Sequence, residues 1–284
     1  MANQPITVSK TELAKKLGVS RSSLYYIHKR PAIDLETKLQ IEAVQTGNPA
    51  YGHKRIALEL KLNKKRILRV MKKFNLKPYR RRPSKPQKPD DLNKLPSPHK
   101  NLIEDFCPIT PNHVWVSDFT YLKFQEKFVY LATTMDLYTR VIVGWNISRF
   151  HNQELVLGAL NDAFAKQKTK PDYHHSDQGS EYDSQQYLGT CERMEISISM
   201  SRKGHPWENG FQESFYSNFK IDLGRTDQFE SLGELVEAIH LQLNYYNNRR
   251  IHTTLKMSPA NFKKEYYKKQ NLKPSDTSFR KKGT

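Results

Sequence analysis

Two cysteines, Cys107 and Cys191, are all that the 284 residues contain, which excludes a disulfide framework and a Cys-rich zinc module. Long apolar runs are missing too: stretches such as Phe128–Met135 fall far short of the ~18 residues a membrane span needs. Residues Met1 to Pro5 carry no apolar core of a secretory signal. Acidic residues are scarce, 29 Asp+Glu against 47 Lys+Arg, for a formal charge of +18. No internal repeat recurs at a fixed period and no heptad pattern is sustained. What is present, 37% hydrophobic and 11% aromatic residues, is too apolar for a wholly disordered polyelectrolyte. These features predict a soluble, cytoplasmic, multidomain protein, with no membrane association and a polyanion as partner.

The charge is unevenly placed. Residues 1–100 carry a net +17, residues 101–227 a net −5, and residues 228–284 a net +6. A basic front and tail around an acidic middle point to DNA-binding arms flanking a carboxylate-bearing centre. A basic tether on an unrelated domain is the plainer alternative.

Residues 1–30 read as a short helix–turn–helix. Ser9 caps a helix carrying Leu13, Ala14 and Leu17, Gly18 ends it, and Ser20 caps a second with Leu24 and Ile27 inward. That second helix would offer Arg21, Ser22 and Tyr25 to a major groove; an ordinary helical hairpin is the alternative. A second helical unit, 31–77, has predicted helices at Asp34–Thr46, His53–Leu60 and Lys64–Phe74. The last buries Ile67, Leu68 and Met71 and displays Lys64, Lys65, Arg69, Lys72 and Lys73, a face suited to phosphates. Residues 78–112 form a basic linker, proline-rich as far as residue 100 and carrying Arg80, Arg81 and Arg82. From 113 to 227 the texture is α/β. Strands at Val114–Leu122, Phe128–Met135 and Val141–Ile147 form a meander, then helices and short strands alternate, which predicts a mixed sheet covered by helices. Residues 228–284 are basic and mostly helical.

Three acids in the middle segment occupy unusual places. Asp118 lies inside the first strand, where Asp is disfavoured and costly to bury without a partner. Asp177 follows the strand ending in His174 and His175, at the kind of strand end where α/β sites form. Glu213 sits on a helix opposite Phe211, Phe215 and Phe219. Hard oxygen donors without thiols suit Mg²⁺, with Mn²⁺ as substitute, and two such ions can drive phosphodiester displacement. Taken singly, each acid could equally be a cap or an ion-pair partner.

Together they have a spacing: 58 residues separate Asp118 from Asp177, and 35 separate Asp177 from Glu213. This resembles the D,D(35)E pattern of retroviral-integrase-like recombinases, and in detail the second-frame transposases of the IS3 family. The segments Trp115-Val-Ser-Asp118-Phe-Thr-Tyr121-Leu, His175-Ser-Asp177-Gln-Gly-Ser-Glu-Tyr182 and Glu208-Asn-Gly-Phe-Gln-Glu213-Ser-Phe, with Lys220 seven residues beyond Glu213, resemble its three acidic motifs. Tyr246-Asn-Asn-Arg249-Arg250-Ile-His252, followed by Leu255 and Pro259, resembles its C-terminal motif. Asp222 stands where the family commonly has Glu, and Trp207 falls in a variable loop.

The resemblance implies a ribonuclease-H-like integrase core and a metal-dependent DNA transposase in which Asp118, Asp177 and Glu213 hold two Mg²⁺ ions. It implies nicking at insertion-sequence ends, strand transfer through a circular intermediate, and later integration. Its partners would be terminal inverted repeats, target DNA and further copies of the chain, with a first-reading-frame protein as an additional partner or fusion. DNA contacts are expected from Lys203, His205, Lys220, Arg249, Arg250 and His252 besides the N-terminal residues. For His174, His175 and His205 a phosphate or water contact and a structural role stand equally open. A zinc role has no Cys-x-x-Cys support. Two rivals remain: a non-catalytic helix–turn–helix regulator, and a ribonuclease-H-like nuclease that only hydrolyses.

Overall fold

The computed structural model describes residues 9–26, 29–80, 98–104, 107–202 and 205–270. Arg81, Arg82, Lys203 and Ile27 lie outside them. Among the described residues no helix is long and apolar enough to cross a membrane.

The core is one five-stranded sheet. Strands β1 (Val114–Phe124), β2 (Lys127–Asp136) and β3 (Ile142–Ser148) form an antiparallel meander; β4 (Tyr173–Ser176) and β5 (Ser197–Met200) add in parallel on the other side of β1, in the order β3-β2-β1-β4-β5. This is the ribonuclease-H-like mixed sheet that the resemblance implies. Strands β1 and β2 bury side chains on both faces, as a sheet covered on both sides requires. Val114, Val116, Leu122 and Phe124 face a core shared with helices α7 (Gly210–Leu223) and α8 (Leu232–Asn248). Trp115 faces the opposite core, with α5 (Gln153–Gln167) and α6 (Gln185–Arg193). Gly144 lets α5 lie directly on β3, since a Cβ there would stand 2.2 Å from the Ala159 carbonyl oxygen. A last helix, α9 (Pro259–Lys269), follows α8.

The N-terminal region departs from the sequence reading. Helix α1 (Lys10–Lys16) forms with its Ser9 cap, but the next element is a five-residue 3₁₀ turn, Arg21–Tyr25. The hydroxyl of Ser20 bonds those of both Ser22 and Ser23 and accepts from the Ser23 amide. Such local bonding competes with an α-helix, and Ala14 is the one buried side chain of the two elements. Arg21, Ser22 and Tyr25 are therefore exposed on a turn, not on a recognition helix.

Helices α2 (Arg30–Gly47), α3 (His53–Glu59) and α4 (Lys64–Lys73) build a separate small core around Ile41, Tyr51, Ile56, Ile67 and Val70. Helix α2 starts at Arg30, four residues before the expected Asp34, with Pro31 in its first turn. Asp34 is consequently inside, where it accepts two bonds from Arg69, at 2.7 and 2.6 Å, and one from Lys73 at 2.9 Å. These cations hold its carboxyl well below the usual carboxylate range. Arg69 thus pairs with an internal carboxylate while its own side chain stays 44% exposed, and it remains on the surface with Lys64, Lys65 and Arg80.

Ile251 completes that same small core. The Tyr51 hydroxyl accepts from the Ile251 amide at 2.8 Å, Arg55 Nε donates to the Ile251 carbonyl at 3.1 Å, and the Tyr245 hydroxyl bonds Asn48. The C-terminal motif is thus the seat of the N-terminal helical unit.

Candidate active site

The parallel register of β1 and β4 pairs Val114 with Tyr173 and Val116 with His175. Carried two residues on, it sets Asp177, just past the end of β4, opposite Asp118. Asp118 alternates in phase with Val114 and Val116, so it lies on the face covered by α7 and α8. Each acid is oriented by a backbone amide: Asp118 Oδ1 accepts from Phe119 N at 2.8 Å and Asp177 Oδ1 from Gly179 N at 3.0 Å. Both charges act on one buried phenol. The Tyr182 hydroxyl is pushed well above its ordinary pKa, first by burial and then by Asp118, with Tyr187 and Asp177 adding.

Three successive carbonyls of β1 hold α7 in place. Gln212 Nε2 donates to Val116 O at 2.7 Å, Asn209 Nδ2 to Ser117 O at 3.2 Å, and the Tyr216 hydroxyl to Asp118 O at 2.5 Å. Thr133 on β2 seals the contact, bonding Gln212 Oε1 at 3.1 Å and the Tyr216 hydroxyl at 2.8 Å. Glu213 follows Gln212 in the first turn of α7 and is exposed. A carboxylate there meets the positive end of the helix. Glu213 is an expected site residue, whereas Gln212 and Tyr216 are not. The available signal was a polar stripe at helical spacing within a segment that had to be buried.

A fourth acid was also missed. Glu181 is buried, bonds His151 Nδ1 at 2.9 Å and approaches Asp177 across Gly179. A Cβ on Gly179 would stand 3.0 Å from both Asp177 Oδ1 and Glu181 Oε2. A side chain there would have to push one of the two carboxylates aside by a few tenths of an ångström.

Asp118, Asp177 and Glu213 form an oxygen-only donor set of the kind that suits Mg²⁺ or Mn²⁺. Asp118 and Asp177 are brought together. Glu213 shares their side of the sheet, but no three Asp, Glu, His or Cys among the described residues close to metal-binding distance.

The other expected site residues divide. Lys220 Nζ lies 4.6 Å above the Tyr121 ring, and His205 packs against exposed Trp207 with the rings tilted by 60°. The loop ahead of α7 is held by Glu208, which binds Arg202 and Asn101. The adjacent histidines are interior. His174 bonds Ser117 at 2.8 Å and the Tyr187 hydroxyl at 2.7 Å, and burial pulls its pKa down to about 3. His175 bonds Ser199 at 2.9 Å, and burial lowers it to about 4. They are structural. Arg249 is exposed, whereas Arg250 is 2% exposed, bonded through Nε to Asp222 and through Nη2 to Asn218 at 3.0 Å. Arg250 is therefore corrected from a surface DNA contact to a buried ion pair. His252 is half-buried beside it.

Two integrase core domain models match the chain, one over residues 109–206 and one over 194–259. The insertion element IS600 31 kDa protein of Shigella sonnei is 32% identical over 269 residues, covering 90% of this chain and 98% of that one. The transposase of element IS904 from Lactococcus lactis is 34% identical over 195 residues, 68% of this chain and 73% of that one. Among solved structures, the trimeric form of the HTLV-2 integrase catalytic core domain in complex with magnesium aligns with a TM-score of 0.46 at 18% identity, over 54% of this chain and 97% of that one. The family models and the insertion-element relatives define the class as integrase-core enzymes of the DDE type. The chain belongs to the IS3 family of insertion-sequence transposases.

Proposed function

We propose that this chain is a DNA transposase whose strand cleavage and strand transfer are carried by Asp118, Asp177 and Glu213. The observation that carries this reading is the fastening of α7 to the carbonyls of Val116, Ser117 and Asp118, which sets Glu213 over the sheet face bearing both aspartates. The three carboxylates would hold Mg²⁺ or Mn²⁺, two ions in all, and the metal supplies Lewis-acid activation of the attacking and leaving oxygens. The protein fixes those carboxylates through the Phe119 and Gly179 amides and keeps the buried phenols of Tyr182 and Tyr216 protonated beside them. No side-chain nucleophile is needed.

In this reading residues 113–227 perform the chemistry, the helical units at 1–30 and 31–77 bind terminal inverted repeats, and the linker at 78–112 and the basic region at 228–284 hold backbone. Lys64, Lys65, Arg80 and Arg249 are exposed cations suited to phosphates. Target DNA, further copies of the chain and a first-frame protein complete the proposed assembly.

The test incubates the protein with labelled element ends and Mg²⁺ and reads nicked and joined products. Asp118→Asn, Asp177→Asn and Glu213→Gln should each lose both products while binding to the ends persists. Binding without either product in the wild type would mark a regulator, and nicks without joining a nuclease. Near-normal joining by one variant would remove that residue from the triad.

A further inference from the structure

A second charged site lies behind α7, on the helix face opposite Glu213. It is a cavity of about 180 Å³ lined by Arg55 of α3, Arg140 of the β2–β3 turn, Phe211 and Asn218 of α7, and Arg250 and His252 of the C-terminal motif. Three guanidinium groups and an imidazole thus converge from three parts of the chain. Two acids bear on them, and both are already engaged: Asp222 by Arg250, and Asp136 by the amides of Asn112 and Thr139. Arg55 uses Nε on the Ile251 carbonyl.

Two polar nitrogens in this cluster are left over. Arg140 stacks its guanidinium 4.0 Å above the Phe211 ring, and its Nη1 is buried with no hydrogen-bond partner. His252 Nδ1 is likewise buried and unpartnered. The imidazole pKa is drawn down to about 4, by burial first and then by Arg140, Arg55 and Arg250. Buried donors without acceptors are costly, and those on charged groups most of all.

We propose that this cavity is a phosphate-binding site, in which a tetrahedral oxyanion accepts from Arg140 and His252 and balances the Arg55–Arg140–Arg250 cluster. Several guanidinium forks around one small space match phosphate oxygens in number and geometry. A helix is about 10 Å across, so this phosphate is not the reacting one on the Glu213 side. Bound here, it joins α3, the sheet and the C-terminal motif. Where DNA supplies the phosphate, a point that rests on the transposase reading, the site holds the duplex backbone away from the scissile bond.

The first arm of the test needs no DNA. Thermal unfolding of the full chain is followed in sodium phosphate and in sodium chloride of equal ionic strength. Phosphate should raise the Tm of the wild type above the chloride value, and Arg140→Gln and, separately, His252→Asn should each reduce that difference. The second arm measures affinity for a random-sequence duplex against salt concentration. If the backbone supplies the phosphate, Arg140→Gln should lower the log–log slope by about 0.9, the loss of one contact. An unchanged slope together with a lost phosphate shift would assign the site to free phosphate. The proposal is overturned if wild type and both variants respond alike to phosphate and Arg140→Gln leaves the slope unchanged. None of these readings depends on joining activity, so failure here is separable from failure of the catalytic triad.

Discussion

The phenol of Tyr216 on α7 donates to the backbone carbonyl of Asp118 on β1 at 2.5 Å, so the helix bearing one proposed catalytic acid is fastened to the residue bearing another. Burial, followed by the Asp118 charge, pushes the Tyr216 pKa well above its ordinary value and keeps it a donor. Tyr216→Phe keeps the ring and removes the bond, leaving buried acceptors unpartnered at a cost of about 1–3 kcal/mol. The expected result is a lower Tm and slower joining with unchanged DNA affinity. Joining at the wild-type rate would show that this bond does not position Glu213.

The Arg250–Asp222 pair should behave as a buried ion pair. Removing one member leaves a charge with no partner, worth about 3–5 kcal/mol, whereas replacing both by apolar residues recovers much of the loss. Denaturant melts of Arg250→Met, Asp222→Leu and the double variant measure the coupling. Additive losses would mean that the two residues act separately.

Acid should weaken the fold through His174 and His175. Both have folded pKa values, about 3 and about 4, below the ordinary 6.5, so the unfolded chain takes up protons that the fold refuses. Their stabilising effect is whole above pH 6.5 and is lost as pH falls toward those values, at about 1.4 kcal/mol per unit and histidine. Unfolding free energies measured at pH 7 and pH 5 should differ accordingly, and His174→Gln should flatten the difference.

A side chain at Gly179 should disturb the site more than the fold. With a Cβ 3.0 Å from both Asp177 Oδ1 and Glu181 Oε2, Gly179→Ala must displace one carboxylate by a few tenths of an ångström. Because a 1 Å misplacement costs about 10²-fold in rate, joining should fall by roughly tenfold while the melting temperature barely moves. A full-rate Gly179→Ala variant would place Asp177 outside the reaction.

The alternation of β1 and the amphipathic stripe of α7 carried the sheet and the face on which Asp118, Asp177 and Glu213 stand, because burial repeats with the period of the element. Pairings across the chain left no such trace. Arg69 and Arg250 look like any surface arginine until the fold brings Asp34 from 35 residues away and Asp222 from 28. The 3₁₀ turn at Arg21–Tyr25 was read as a helix because Ser20 caps both kinds of turn, and the missing core beneath it shows only in three dimensions. Gln212 was passed over because a polar side chain reads as exposed unless its buried acceptors are known.

Ile251 fills a place in the core of the α2–α4 unit, and Arg55 holds it there across 196 residues of sequence. On a ribosome adding about 5–20 residues per second, that partner arrives roughly 10–40 s after Arg55 has been made. Throughout that interval the nascent N-terminal unit keeps an apolar notch open to the cell. Synthesis therefore has an order built into it: the α2–α4 unit reaches its final packing only after the chain has been extended 196 residues beyond Arg55.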